Sequence, residues 1–339
     1  MDSLERCIRA IQHEETDRVP VAPLIISHAV QLANVPFWRY NTDPVALADC
    51  QITCWRRYSY DAIHITTDNW ILPQALGVRV RFYPDLPPTG VAPPLARAKD
   101  LSLLPSIEKA KTAARMNLLP AATRYARQTL GNACFIKANF DQGPFSLCTA
   151  LRGIEQLMTD MHDDEQFVLN LLEVCSELVV HLGMTVGTAG AHALTFGDSA
   201  AGLISRKDFI KYAYPFEKYA IERLRAALDL PIFLHICGRA SHILDCMADT
   251  GADALELDHF NDFAHVKKQV GARTCLVGNL DPVRVMLQGT PEVVRQKSAE
   301  LISTAGSGGG FILSPGCEVP RDTPAENLLA LVEAARDCS

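Results

Sequence analysis

Short apolar runs alternate with helical stretches from one end of this chain to the other, and that alternation limits the fold more than any single motif. Eight runs of strand length stand at 19–25, 61–68, 133–140, 193–198, 231–237, 254–258, 274–279 and 310–317. Between most of them the apolar residues recur at helical spacing, over 43–60, 105–129, 150–190, 205–229, 240–250, 262–270 and 290–305, with a closing helix at 324–337. A run of four to eight apolar residues followed by a helix is the pattern of a parallel βα unit. Eight such units in 339 residues predict an α/β fold, a (β/α)8 TIM barrel, in a single domain over 1–339. An open doubly wound sheet is the alternative, but the first run opens into no Gly-x-Gly-x-x-Gly loop. Two additions are expected. Leu4, Ile8 and Ile11 predict an N-terminal helical extension over 3–15. Near 70–98, alternation in Val78–Tyr83 and a cluster of prolines after it predict a hairpin and Pro-rich insertion, a lid or surface elaboration.

Composition narrows the partners. The formal net charge is −7 and no long basic block occurs, which argues against nucleic acid or an anionic membrane surface. No run of about 18 apolar residues predicts a membrane span. The first residues, Met1–Cys7, are charged and carry no apolar signal region, so a cytoplasmic protein is expected. Eleven cysteines are many, but the number is odd and they are scattered. In a reducing compartment they are expected as free thiols or metal ligands.

The chemistry concentrates where two strands end. In Pro231–Gly238 a buried strand closes on His235-Ile236-Cys237-Gly238. Alternation along a strand puts His235 and Cys237 on one side and Ile236 on the other, so imidazole and thiolate can meet one ion. A second apolar run, Gly310–Cys317, ends on Gly316-Cys317. One imidazole and two thiolates suit Zn2+ and leave a fourth tetrahedral position free for substrate. In a parallel barrel all three would ring one mouth, because the strands' C-terminal ends share a face. Taken singly, each is more often a core residue. Cys50 and Cys54, with no partner His nearby in the sequence, keep that reading, as do Cys246 and Cys275, which fall in helix and strand interiors.

Acidic and amide side chains also end strands. Asp198 is the candidate catalytic residue, and Asn139 and Asn279 are candidate cofactor-binding residues. The competing role for each is a helix cap, which Asp and Asn favour at βα junctions. The Gly306–Gly310 loop precedes a strand rather than opening a helix, so it is expected as a turn and not a phosphate cradle.

Several of these segments together resemble one family. His235–Gly238, Gly251-Ala252-Asp253-Ala254, Gly278-Asn279-Leu280-Asp281-Pro282 and Ser314–Cys317, followed by Thr323–Asn327, look like the uroporphyrinogen decarboxylase superfamily. Within it they are similar to the zinc-dependent corrinoid methyltransferase branch, which includes the methylcobamide:coenzyme M methyltransferases. Asp17–Val21 and Gly197-Asp198 fit the same pattern. The resemblance implies zinc on His235, Cys237 and Cys317. It also implies methyl transfer between a corrinoid (methylcobalamin or cob(I)alamin as co-substrate) and a small thiol or other methyl donor or acceptor. No Asp-x-His-x-x-Gly segment is present, so the corrinoid is expected on a separate corrinoid-binding protein, or free. The Met-Arg-Gln-Ala-Gly-Arg segment that the decarboxylases use for porphyrin carboxylates is replaced here by Ala22–His28, which counts against porphyrin decarboxylation. A metal-free lyase and a non-catalytic zinc- or thiol-binding barrel are the alternatives.

Overall fold

A computed structural model describes residues 1–113 and 115–338. Seven parallel strands form one sheet: β1 (Ala62–Ile65), β4 (Phe135–Gln142), β5 (Ala193–Gly197), β6 (Ile232–Ile236), β7 (Ala254–Leu257), β8 (Cys275–Leu280) and β9 (Phe311–Pro315), paired in that order. Two short antiparallel strands, β2 (Val80–Arg81) and β3 (Thr89–Gly90), make the expected hairpin. The insertion is tied down by the Pro84 carbonyl, which accepts Phe37 N at 2.8 Å, and by Arg321, which donates to Asp85 O at 3.0 Å.

The first expected strand is corrected. Only Val21 pairs, as a single parallel bridge to Leu313. Pro20 and Pro23 have no N–H to give a ladder, so the contact cannot extend. Residues 20–22 nonetheless span the two edges of the sheet. Leu313 N reaches Pro20 O at 2.9 Å and Ala22 N reaches Leu313 O at 3.0 Å, while Asp61 N, just before β1, reaches Val21 O at 2.8 Å.

Inside the sheet's curl the side chains lie in layers, as alternate residues of parallel strands must. The layer at the strands' N-terminal ends is apolar and includes Ala62, Phe135, Phe233, Ala254 and Cys275. The helix Ser3–Ile11 packs Cys7, Ala10 and Ile11 onto it and seals that end. Gly310 N donates to Ala10 O at 3.0 Å, with φ +69° at Gly310, so the glycine-rich loop is the turn that docks this helix. One layer up the interior turns polar, with His64, Lys137, Thr195, His235 and Glu256, all but His235 buried.

Helices cover the outer face. The helical stretch expected over 150–190 is three helices, Pro144–Arg152, Ile154–Asp163 and Glu165–Gly187. The last is long and apolar enough by length and composition to cross a membrane, but 61% of its apolar window is buried inside the protein. Its apolar side is used inside the protein, and Gly183 lies against Leu224 and Phe140. Short helices at Ser27–Leu32, Phe37–Tyr40 and Ile71–Ala75 were not expected. All eleven cysteines are free thiols.

Candidate metal centre

His235 is the fourth residue of β6, and its Cα pairs with Gly197 on β5 and Glu256 on β7. Cys237 lies two residues on, past the strand's end, where Gly238 turns away at φ +78°. Asp258 holds that turn by accepting Gly238 N at 2.9 Å. Cys317 follows β9. The packing at Gly316 is close, since a Cβ there would lie 2.5 Å from His259 N, so the chain carrying Cys317 is pressed against the end of β7. The three side chains meet. His235 Nε2 is 2.9 Å from Cys237 Sγ, the two sulfurs are 3.3 Å apart, and all donor atoms lie within 4.8 Å of one another.

The donor set fits zinc. Tetrahedral bonds of about 2.0–2.3 Å place neighbouring N and S donors roughly 3.5–3.8 Å apart, so the two close contacts need to open by about half an ångström. The bond with Cys317 favours the Cys237 thiolate and lowers its pKa, against burial. The same contact, with burial, pushes the Cys317 thiol up. Burial alone would lower the His235 pKa, but the Cys317 contact and the Glu256 charge outweigh it and the net direction is up. Glu256 Oε2 stands 3.9 Å from His235 Nδ1, the nitrogen turned away from the sulfurs, and its other oxygen pairs with Lys137. At that distance the carboxylate acts on the imidazole by its charge and not by a hydrogen bond.

The donors open into a cavity of about 180 Å³. Asn139 lines it, but its Oδ1 is already bonded to Asp141 N. Asn279 is placed elsewhere. Its amide donates to Asp258 O at 3.0 Å and Asn261 O at 2.8 Å, and it borders a different cavity beside His259 and Phe263. Asp198 is also outside. It is wholly buried and accepts Ser146 N at 2.6 Å and Phe145 N at 3.2 Å, which caps the helix Pro144–Arg152. Burial raises its pKa to about 6, and Glu217, buried beside it, is raised well above the carboxylate range by burial and the Asp198 charge. Asp198 thus takes the capping role that competed with catalysis.

Sequence reasoning missed two cavity residues. Asp141 is buried, has φ +73° and uses Oδ2 to accept Leu72 N at 2.7 Å, leaving Oδ1 buried without a partner. Burial raises its pKa to about 8. His64 is buried with neither ring nitrogen partnered, and burial holds its pKa well below the usual range. An acidic residue after Asn139 near a strand end was the only signal for the first; nothing in the sequence marked the second.

Comparison with known proteins gives three likenesses and a family. The family model described as "Uroporphyrinogen decarboxylase (URO-D)" matches residues 2–338. The methylcobamide:CoM methyltransferase MtbA of Methanosarcina acetivorans is 32% identical over 197 residues, 58% of this chain and 56% of that one, so the match spans little more than half of that relative. The uroporphyrinogen decarboxylase of Erwinia tasmaniensis is 27% identical over 302 residues, 86% of this chain and 82% of that one. The solved structure of a methyltransferase from Methanosarcina mazei superposes with a TM-score of 0.89 at 22% identity, covering 99% of this chain and 98% of the other, and so shares the fold.

Proposed function

The chain belongs to the uroporphyrinogen decarboxylase family, and from that premise we propose that it is a zinc-dependent methyltransferase. The methyl group passes between a corrinoid, brought by a corrinoid-binding partner protein, and a small thiol or other methyl donor or acceptor. In this reading the seven strands and residues 20–22 make a (β/α)8 barrel over one domain, with its working mouth at the strands' C-terminal ends. The observation that carries the proposal is the meeting of His235, Cys237 and Cys317, from two distant parts of the sequence, at one end of the sheet.

Those three residues would hold the ion. Zinc on one imidazole and two thiolates, when bound, lowers the pKa of a substrate thiol and keeps it nucleophilic. The Glu256 charge acts on the His235 ring from behind. Asp258 fixes the turn that aims Cys237. The buried layers beneath keep water from reaching the donors except through the mouth. Asp198 serves as a positioning residue, holding the helix Pro144–Arg152 whose Ser146 borders the cavity. The decarboxylase relative suggests a second reading, a lyase without metal. The absence of any arginine or lysine from the cavity wall, among the described residues, disfavours it, because a porphyrin's carboxylates need cationic partners.

Metal analysis joined to a methylcobalamin assay tests the proposal. The purified chain should carry about one zinc and demethylate methylcobalamin in the presence of a thiol. Cys237→Ala or Cys317→Ser should lose most of the zinc and slow transfer by about 100-fold or more. Stoichiometric zinc and full activity in both variants would overturn it.

A further inference from the structure

The cavity wall says what kind of small molecule can share it with the metal ligands. Its carboxyl-bearing members are Asp141, Glu256 and Glu318. No arginine or lysine contributes to it among the described residues. The cations beside its acidic residues, Lys137 and Arg115, are already committed. Lys137 is paired with Glu256. Arg115 grips Asp68 with two bonds, of 2.5 and 3.0 Å, and spends a third on Gln74. An anionic group placed here would lose its hydration and meet no counter-charge, a cost that burial makes large.

The wall also carries unmet acceptors. Asp141 is held in place through Oδ2, which takes the Leu72 amide, so Oδ1 has a fixed direction and no protein donor. His64, neutral and buried, has one ring nitrogen free to accept and one free to donate. A buried acceptor without a donor is costly, and a ligand that supplies the donor recovers that cost on binding. Asp141 lies on the same cavity as the sulfurs of Cys237 and Cys317 but is not bonded to them, so one small molecule can engage both ends.

We infer that the small substrate of this site bears no negative charge and presents a hydrogen-bond donor, a hydroxyl or an ammonium, to Asp141. This rests on the reading of the site as a methyltransferase centre. It separates the chain from an enzyme built for coenzyme M, a thiol that carries a sulfonate. Burial also raises the Asp141 pKa, so the free site holds that proton tightly, and an ammonium ligand has to displace it by lowering the carboxyl's pKa on pairing.

Three thiols of matched length test it: 2-aminoethanethiol, 2-mercaptoethanol and 2-mercaptoethanesulfonate. Binding to the zinc-loaded chain is followed by calorimetry, and transfer by the absorbance of methylcobalamin. The amine and alcohol thiols should each bind about tenfold or more tighter than the sulfonate thiol. Asp141→Asn keeps a side chain that tolerates the positive φ and should weaken binding of the amine thiol by about tenfold relative to the alcohol thiol. The comparison among thiols uses the unmodified chain, so it stands even if the variant is unstable. Equal or tighter binding of the sulfonate thiol overturns the inference, as does failure of all three to bind. Transfer with the sulfonate thiol preferred would sink the inference while sparing the methyltransferase reading. The expected binding order without any transfer would do the reverse.

Discussion

Asp141 sets a local cost against a local use. Its carboxyl titrates near 3.8 when unfolded and is raised by burial to about 8 in the fold, with Asp68 adding to the rise and Arg115 opposing it. The folded state therefore holds this proton more tightly than the unfolded chain. The stability that the proton gives is complete below the unfolded value and is lost as pH rises through the folded one. Asp141→Asn cannot ionise, so it should gain on the parent by on the order of 5 kcal/mol between pH 4 and pH 8. Urea midpoints across that range measure it, and parallel curves for the two proteins would refute the cause. The same residue shows where sequence reading stopped. Strand alternation gave the shared side of His235 and Cys237, and an apolar run ending in Gly-Cys gave Cys317. At Asp141 the pairing of β4 with β5 shifts between Asn139 and Gln142, and the backbone swings to positive φ. Alternation then no longer tells which way a side chain faces. His64 was invisible for a different reason: it lies in an apolar run and its importance depends on groups it lacks.

At the scale of one element, the helix Pro144–Arg152 is started from outside itself. Its N-terminal amides are met by Asp198, which follows β5. The fit is close, since a Cβ on Gly143 would lie 2.5 Å from the Asp198 carboxylate. Gly143→Ala should push that carboxylate off the amides and cost about 1–3 kcal/mol. Asp198→Ala should cost about 1–2 kcal/mol through the lost cap. Because both act on one contact, the double variant should cost clearly less than the sum, by denaturant unfolding. Strict additivity would mean the two residues do not share a role. The strand-end position of Asp198 was legible, but the choice between cap and catalyst was not, because it depends on which helix N-terminus stands opposite.

For the molecule as a whole, the weak place is the seam at residues 20–22, and Asp61 secures it. Its carboxylate takes Arg18 through two bonds of 2.7 and 2.9 Å, Arg6 at 2.6 Å, the Val21 amide at 2.9 Å and the Ser3 hydroxyl at 2.9 Å. One buried acid thus joins the N-terminal helix, the bridging segment and the edge of β1. Asp61→Ala leaves the buried Arg6 and the half-buried Arg18 short of a partner and should cost about 3 kcal/mol or more, with earlier proteolysis near the N-terminus. A loss under about 1 kcal/mol would show that the seam holds without it. The strand-and-helix order was plain in the sequence because apolar runs and helical spacing are local. The seam was not, since two prolines erase the ladder that would have announced a strand. The floor laid by the N-terminal helix has a further effect on traffic. It closes the end of the curl opposite His235, Cys237 and Cys317, so in the proposed methyltransferase a corrinoid carrier seated over those residues would lie across the small molecule's path.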